Sequence, residues 1–417
     1  MKQDVSRLLN DSKQGFMGNI EPHQSKMELL YETRREVRKE LRIRFQDLSN
    51  SFRKKGDKWV LDIKPNVNFL ETKLRALDQD AYEVLANLTP KFAPQGSIVY
   101  KTMNKPCQPP QQMDLDDGIY LPIDMFEDKP VLSKDLFFKF VDGTLSDLAR
   151  RKGWEFSDKK NTCSRVILGT DLHVDVPLYA IPRKRFLSMK VESLALESIN
   201  ASMDAAPEYV RLEPNEVNLA LRNTEAWTVS DPKLLNEYFS QNFSYYKEMT
   251  GTHVCRRVCR YLKAWRDKAF KTGGPSSVAL MTCVVLTFQE LAAQDRLRKL
   301  TDSVALDECV KRLALQLRNG VPNDAEPSKN EKLFPKANML EQELEDIYQK
   351  AELLNSHVTA GLNASTASEA ITNLQAVFGD RIPNIPSLVV AITVAEAIRS
   401  QPAIAQPQPN VANQDAG

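Results

Sequence analysis

The 417-residue chain has no apolar run long enough to span a bilayer, no secretory leader pattern and no excess charge of either sign. Lysine plus arginine number 56 and aspartate plus glutamate 55, so no global field draws the chain to nucleic acid or a membrane surface. Any basic site must be local. The 6 cysteines lack framework spacing, which argues against a disulfide scaffold. Cys255 and Cys259 share a helical face near His253, but a structural zinc site needs four ligands and no fourth stands out. They read as buried thiols. The expectation is a soluble, reduced, cytoplasmic protein with no membrane partner, and nothing demands more than a monomer. The length suffices for a large core, or for two lobes sharing a cleft.

The informative stretch is Gln95-Gly96-Ser97 followed by Met113-Asp114-Leu115-Asp116-Asp117. On a strand, Asp114 and Asp116 aim at one spot while Leu115 points into the core behind them. Two such carboxylates repel, and a divalent cation relieves the conflict. Magnesium takes one or two protein carboxylates and completes its shell with water and phosphate oxygens. Gly96 lets backbone approach a phosphate, and Ser97 adds a hydroxyl. Read alone, D-x-D-D is a solvated turn and G-S is common. Together, in this order, they match the signature of DNA polymerase β-like nucleotidyltransferases, which calls for a third carboxylate on a neighbouring strand. Asp175 answers: Val174, Val176 and Leu178 alternate with it, so it points away from the apolar face.

Around this stretch the periodicity predicts helices over about 25–49, 68–88 and 133–152. Gly15-Phe16-Met17-Gly18 reads as an anchoring turn in a polar leader. Ile98-Val99-Tyr100 continues from the G-S turn, and strands cover 114–123, 165–168 and the surroundings of Asp175. Helix–strand alternation suits a small mixed sheet with helices on one side. Ser230 or Asp231 offers an N-cap with Pro232 at the first helical position. Beyond it the chain reads as helical over 234–271, 278–294, 302–317, 339–354, 367–378 and 385–399. Residues 400–417 are rich in Pro, Gln and Asn and predict disorder up to Gly417.

Two clusters carry double readings. Arg34, Arg38 and Arg42 stack on one face of the first long helix. They form either a solvated face neutralised by Glu32, Glu36 and Glu40, or an anion site. Ser276 or Ser277 caps a helix after Gly273-Gly274, and Lys263 sits on a helix face. Alternatively, Lys263 and that helix N-terminus together bind phosphate.

The motifs above, with Thr162-Cys163-Ser164-Arg165, His173-Val174-Asp175-Val176-Pro177, Asn215 to Arg222, Ser230 to Lys233, and Lys263 to Asp267 through Gly273 to Ser277, resemble the cGAS/DncV-like nucleotidyltransferases of antiphage (CBASS) signalling. The likeness runs from Gly15 to about Pro335. It implies an α+β fold: a polymerase β-like nucleotidyltransferase core over 1–235, a helical lobe over 236–399, and the site in the cleft between them. It implies Asp114, Asp116 and Asp175 as catalytic metal ligands for magnesium, or manganese in its place. Gln95, Gly96, Ser97, Lys263 and Ser277 would hold the donor triphosphate. Arg165 would contact acceptor phosphate, Tyr100 would stack a base, and Ser230 and Asp231 would line the pocket. The implied reaction joins ATP and GTP into 3′,3′-cyclic GMP-AMP, read by an effector encoded nearby, with no DNA activator. The resemblance further implies a folate-like regulatory site at Arg34, Arg38, Arg42, Lys91, Tyr120 and Phe186. There Lys91 replaces an arginine and Ala93 a tryptophan; lysine cannot fork onto a carboxylate. It also implies conjugation of Gly417 by a ubiquitin-like transferase. Competing readings are a nucleotidyltransferase making another cyclic product or acting on RNA or protein, and a non-catalytic nucleotide sensor; the intact aspartate set argues against the sensor.

Overall fold

The computed structural model describes residues 2–122, 130–181, 217–224, 227–229 and 232–392. Its first half is built on a mixed sheet. The chain opens with β1 (Lys2–Asp4), α1 (Ser6–Asn10), α2 (Phe16–Ile20) and the long α3 (Gln24–Asn50), then a hairpin of β2 (Phe52–Lys55) and β3 (Lys58–Leu61). Two short helices follow, α4 (Glu71–Arg75) and α5 (Gln79–Ala86). The single helix expected over 68–88 is therefore broken. Asp78 accepts from the Ala81 amide and starts α5 afresh, as an N-cap aspartate does.

Next come β4 (Lys91–Gln95), the one-turn α6 (Ser97–Tyr100), β5 (Met113–Pro122), α7 (Pro130–Lys152), β6 (Glu155–Ser157), β7 (Cys163–Ile167), β8 (Leu172–Ile181), β9 (Asn218–Leu219) and β10 (Thr228–Val229). The strand beside the G-S turn thus precedes it, and Ile98-Val99-Tyr100 coils into α6 instead of extending. β5 lies between β4, antiparallel, and β8, parallel. β8 carries β7 on its first half and β9 on its second. One face of this sheet is covered by α3 and α7. Leu41 and Phe45 of α3 and Phe137 and Phe140 of α7 bury against Leu115, Ile119, Val174, Val176 and Leu178. The alternation predicted around Asp175 is present.

The second half is helical: α8 (Pro232–Thr250), α9 (Val254–Ala269), α10 (Ser277–Ala293), α11 (Asp302–Asn319), a small hairpin of β11 (Val321–Pro322) and β12 (Lys332–Phe334), then α12 (Glu341–Leu362) and α13 (Ala367–Phe378). The helix expected over 234–271 is two helices, because Gly251 takes φ 72° and turns the chain. Cys255, Cys259, Cys283 and Cys309 are buried in this lobe with Trp265, Phe288 and Phe378. Burial and the neighbouring Cys259 push the Cys255 thiol well up.

The N-terminus corrects the domain division at 235. Val5, Leu8, Leu9, Phe16 and Ile20 are fully buried in the helical lobe's core, not the sheet's. The helix expected over 385–399 is also corrected at its start. Val390–Ile392 is strand β13, with Lys2 opposite Ile392 in an antiparallel ladder with β1. The remaining residues of that stretch, and the tail to Gly417, lie outside the described residues. No helix among the described residues is long and apolar enough to cross a membrane.

Candidate active site

Two-residue alternation sends Met113, Leu115 and Asp117 toward α3 and α7, and Asp114 and Asp116 to the open face of the sheet. In register, Asp116 lies beside Gln95 on β4 and Asp175 on β8, and Asp114 lies beside His173. Cross-strand partners share a face, so five polar side chains converge there. Burial, then the charges of Asp114 and Asp175, push the Asp116 carboxyl well above its ordinary range. The site is short of positive charge at that point.

Gly96 turns the chain at φ 70°, and a Cβ there would lie 2.7 Å from Asp116 Oδ2. Gly96→Ala meets both strain and a clash. The expected result is loss of at least about tenfold in activity, equivalent to the roughly 1–3 kcal/mol of a strained backbone, with the Asp116 strand displaced in a crystal structure of the variant. Ser97, next in the chain, has a buried Oγ without a hydrogen-bond partner, as has Oε1 of Gln95, whose Nε2 donates to Tyr179 at 3.0 Å.

Asp175 is fully buried and held by cations. Arg165 donates to both its oxygens, at 2.6 and 2.9 Å, and Lys160 Nζ lies 2.6 Å from Oδ2. Burial pushes this carboxyl up, but the Arg165 hydrogen bond and the charge of Lys160 prevail and hold it at about 2. A carboxyl lowered from 3.8 to about 2 adds roughly 2 kcal/mol of stability above its unfolded pKa, lost as pH falls through the folded one. Urea midpoints of metal-free protein should therefore drop more steeply from about pH 4 toward pH 2 than those of Asp175→Asn.

Across the cleft, Lys263, Arg266 and Ser277 face Ser97 and Asp114 around a cavity of about 180 Å³, which Asn104, Gln112 and Asp267 also line. Ser276, not Ser277, caps α10, accepting from the Ala279 amide at 3.1 Å. Ser277 is left at the cavity, where Arg266 donates to its Oγ at 2.8 Å. Lys263 is buried and donates to the Thr102 carbonyl at 2.6 Å. Burial, with Arg266 adding to it, pushes its ammonium down to about 8. An arriving anion would restore that charge. The loop after α6 is tied to α9: Asn104 exchanges hydrogen bonds with Arg260, and Gln111 donates to the carbonyls of Asp267 and Phe270.

Not every expected residue joins this site. The Tyr100 ring is 6% exposed and packs edge-on against Phe239 at 5.1 Å. It is part of the helical lobe's core in this conformation and offers no face to a base. Ser230, Asp231, Phe186 and Gly417 lie outside the described residues. The regulatory cluster is split by the sheet. Arg38 forks onto Asp117 at 2.6 and 2.5 Å on the helix-covered face, and Arg38 and Arg42 both lie over Phe92. Lys91 and Tyr120 pair with each other in register on the opposite face, where Tyr120 stacks on Tyr179 at 4.9 Å. Arg34 lies over Tyr31. The three glutamates pair with cations other than these arginines: Glu32 with Arg35 and Glu40 with Arg44 on the same helix, and Glu36 with Lys152 and Glu40 also with Arg151 of α7. Lys160, Arg266 and Asn104 are site residues that the motif reading missed. Only Arg266 carried a signal, one helical turn beyond Lys263.

The donors suit a divalent cation in part. Asp114 and Asp116 form an acidic pair beside a Ser97 hydroxyl without a hydrogen-bond partner. Among the described residues, though, no three acidic, histidine or cysteine side chains stand arranged to hold a metal. Both oxygens of Asp175 are engaged by Arg165 and Lys160.

With this geometry in view, comparison with known proteins is informative. Residues 90–179 match the model for the cyclic GMP-AMP synthase DncV-like nucleotidyltransferase domain, and residues 251–391 that for the cyclic GMP-AMP synthase C-terminal domain. The chain is 30% identical over 442 residues to a cyclic GMP-AMP synthase of Escherichia coli (strain TW11681), covering 99% of each. It is 34% identical over 334 residues to that of Vibrio cholerae serotype O1, covering 76% of this chain and 73% of the relative. Among solved structures, Vibrio cholerae DncV in complex with the linear intermediate 5′ pppA(3′,5′)pG aligns with TM-score 0.77 and 27% identity, over 94% of this chain and 100% of that one. A DncV mutant in complex with ATP, GTP and 5MTHFGLU2 aligns with TM-score 0.78 and 28% identity over the same shares. The α+β fold is thus shared along nearly the whole chain, which belongs to the DncV-like nucleotidyltransferases of the cyclic GMP-AMP synthase family.

Proposed function

We propose that this nucleotidyltransferase makes 3′,3′-cyclic GMP-AMP from ATP and GTP by two successive transfers in the cleft. The observation that carries the reading is convergence. Ser97, Asp114, Lys263 and Ser277, from four separate elements, line one cavity beside Asp116 and Asp175. A relative matched along 99% of both chains, and another matched over 73% of its own length, are named cyclic GMP-AMP synthases.

In this reading Asp114 and Asp116 would hold magnesium, with Asp175 as the third carboxylate of the set. The ion, when bound, neutralises charge on the attacking and leaving oxygens at the α-phosphorus. The protein's own groups do the rest. Ser97, Ser277 and the Gly96 backbone position the triphosphate, and Lys263 and Arg266 offset its charge as the cavity loses water. Arg165 is placed to meet acceptor phosphate. The linear product then rebinds so that its free 3′-hydroxyl attacks its own triphosphate. By the same resemblance, an effector reads the product.

The test supplies purified protein with magnesium, ATP and GTP, removes residual nucleotides with phosphatase, and identifies the survivor by mass spectrometry. The expected survivor has the mass of cyclic GMP-AMP and is opened completely by a nuclease specific for 3′,5′ linkages. A polymer-length product would favour the RNA- or protein-modifying reading.

A further inference from the structure

Asp267 lines the cavity assigned to the donor triphosphate, together with Lys263, Arg266 and Ser277. An acid in that place repels a polyanion unless its charge is committed to another group. Asp267 is 8% exposed, and one of its oxygens, Oδ1, accepts twice from Arg266: from Nε at 3.0 Å and from Nη2 at 2.6 Å. That grip on one edge of the guanidinium leaves the third nitrogen, Nη1, to donate to Ser277 Oγ at 2.8 Å. The Ser277 hydroxyl, having accepted, keeps its own proton to donate, and the guanidinium keeps N–H groups beyond those in use. Asp267 is itself fixed from behind. Gln108 and Gln111 donate to its backbone carbonyl at 2.9 and 2.7 Å. Its charge also favours the Lys263 ammonium, which the charge of Arg266 opposes.

We infer that Asp267 is a positioning residue for the donor triphosphate, holding the Arg266 fork so that Nη1 and the Ser277 hydroxyl meet phosphate oxygens together. A guanidinium is a rigid, planar set of donors, and its geometry serves an anion only in the right orientation. Arg266 and Ser277 stand on different helices, α9 and α10, so neither backbone alone sets the angle between their side chains. An arginine left free would lose rotamer freedom at each binding event, and one already held does not. The inference rests on the triphosphate reading of the cavity proposed above.

The probe is an ATP analogue with a methylene between its α- and β-phosphorus atoms, titrated with magnesium into the full chain. Asp267→Asn should weaken its binding at least about tenfold, the scale of one hydrogen bond to a charged group, although the variant removes a negative charge from the cavity. In turnover the loss should fall on KM, with kcat within about threefold of wild type. Placed in Arg266→Gln, the same change should no longer weaken binding, because no fork is left to hold. Asp267→Glu keeps the charge and shifts the carboxylate by a methylene, so it too should weaken binding; it carries the test if Asp267→Asn does not hold its urea midpoint. Unchanged or tighter binding in Asp267→Asn, the result for an acid that only repels phosphate, would overturn the inference. So would an equal loss with and without Arg266, or wild-type affinity in Asp267→Glu. Failure of wild type to bind the analogue would instead overturn the triphosphate reading itself.

Discussion

Asp116→Asn yields a folded protein that makes no cyclic dinucleotide. Asp116 lies between Asp114 and Asp175, in register with Asp175 and against the Gly96 turn. Burial and its two acidic neighbours already make its charge costly. Asparagine keeps the shape and removes the repulsion, so the urea midpoint should hold or rise slightly. Transfer, by contrast, loses the carboxylate on which charge stabilisation at the reacting phosphorus depends. That stabilisation is worth several kcal/mol, and each 1.36 kcal/mol is tenfold in rate, so the drop should reach about a thousandfold or more. Product formation and denaturation are measured on the same preparation. Surviving activity would remove Asp116 from the metal site.

The second large effect concerns stability. Arg38→Ala should cost about 3–5 kcal/mol, the scale for stranding one member of a buried ion pair. Asp117 is 1% exposed, and both its oxygens take donors from Arg38. Arg34→Ala should cost less than about 1 kcal/mol, because Arg34 overlies Tyr31 and meets Asp117 through charge while Arg38 makes the hydrogen bonds. Equal costs for the two would mean that the arginines act as one anion-binding face. Denaturant titration of both variants decides between these. If Arg38 instead served mainly a regulatory ligand, its loss would leave stability intact and change only the response to folate-like compounds.

These residues show what a sequence can disclose. The strand faces were readable because apolar positions two apart around Leu115 and Val174 leave the intervening aspartates only one direction. The cleft's two sides were readable through Ser97 and Ser277, each at a glycine-marked turn. The fate of Arg38 was not. A helix face records which residues share a side, but not that Asp117, 79 residues away, would arrive beneath it. Lys160 escaped notice for the same reason: it lies in a polar loop that only the β7–β8 pairing brings to Asp175. Pairing of β1 with β13 joins the first and last described strands, and local helical periodicity at 385–399 concealed it. The interruptions at Asp78 and Gly251 were legible, since an N-cap aspartate and a glycine are ordinary helix boundaries; continuous apolar periodicity outweighed them.

The most direct test of two transfers in one cleft counts pyrophosphate against product. Wild-type protein with magnesium, ATP and GTP should release two pyrophosphates for each phosphatase-resistant dinucleotide, with a triphosphate-bearing linear dinucleotide rising and then falling during the time course. One pyrophosphate per dinucleotide, with the triphosphate end persisting, would contradict the account.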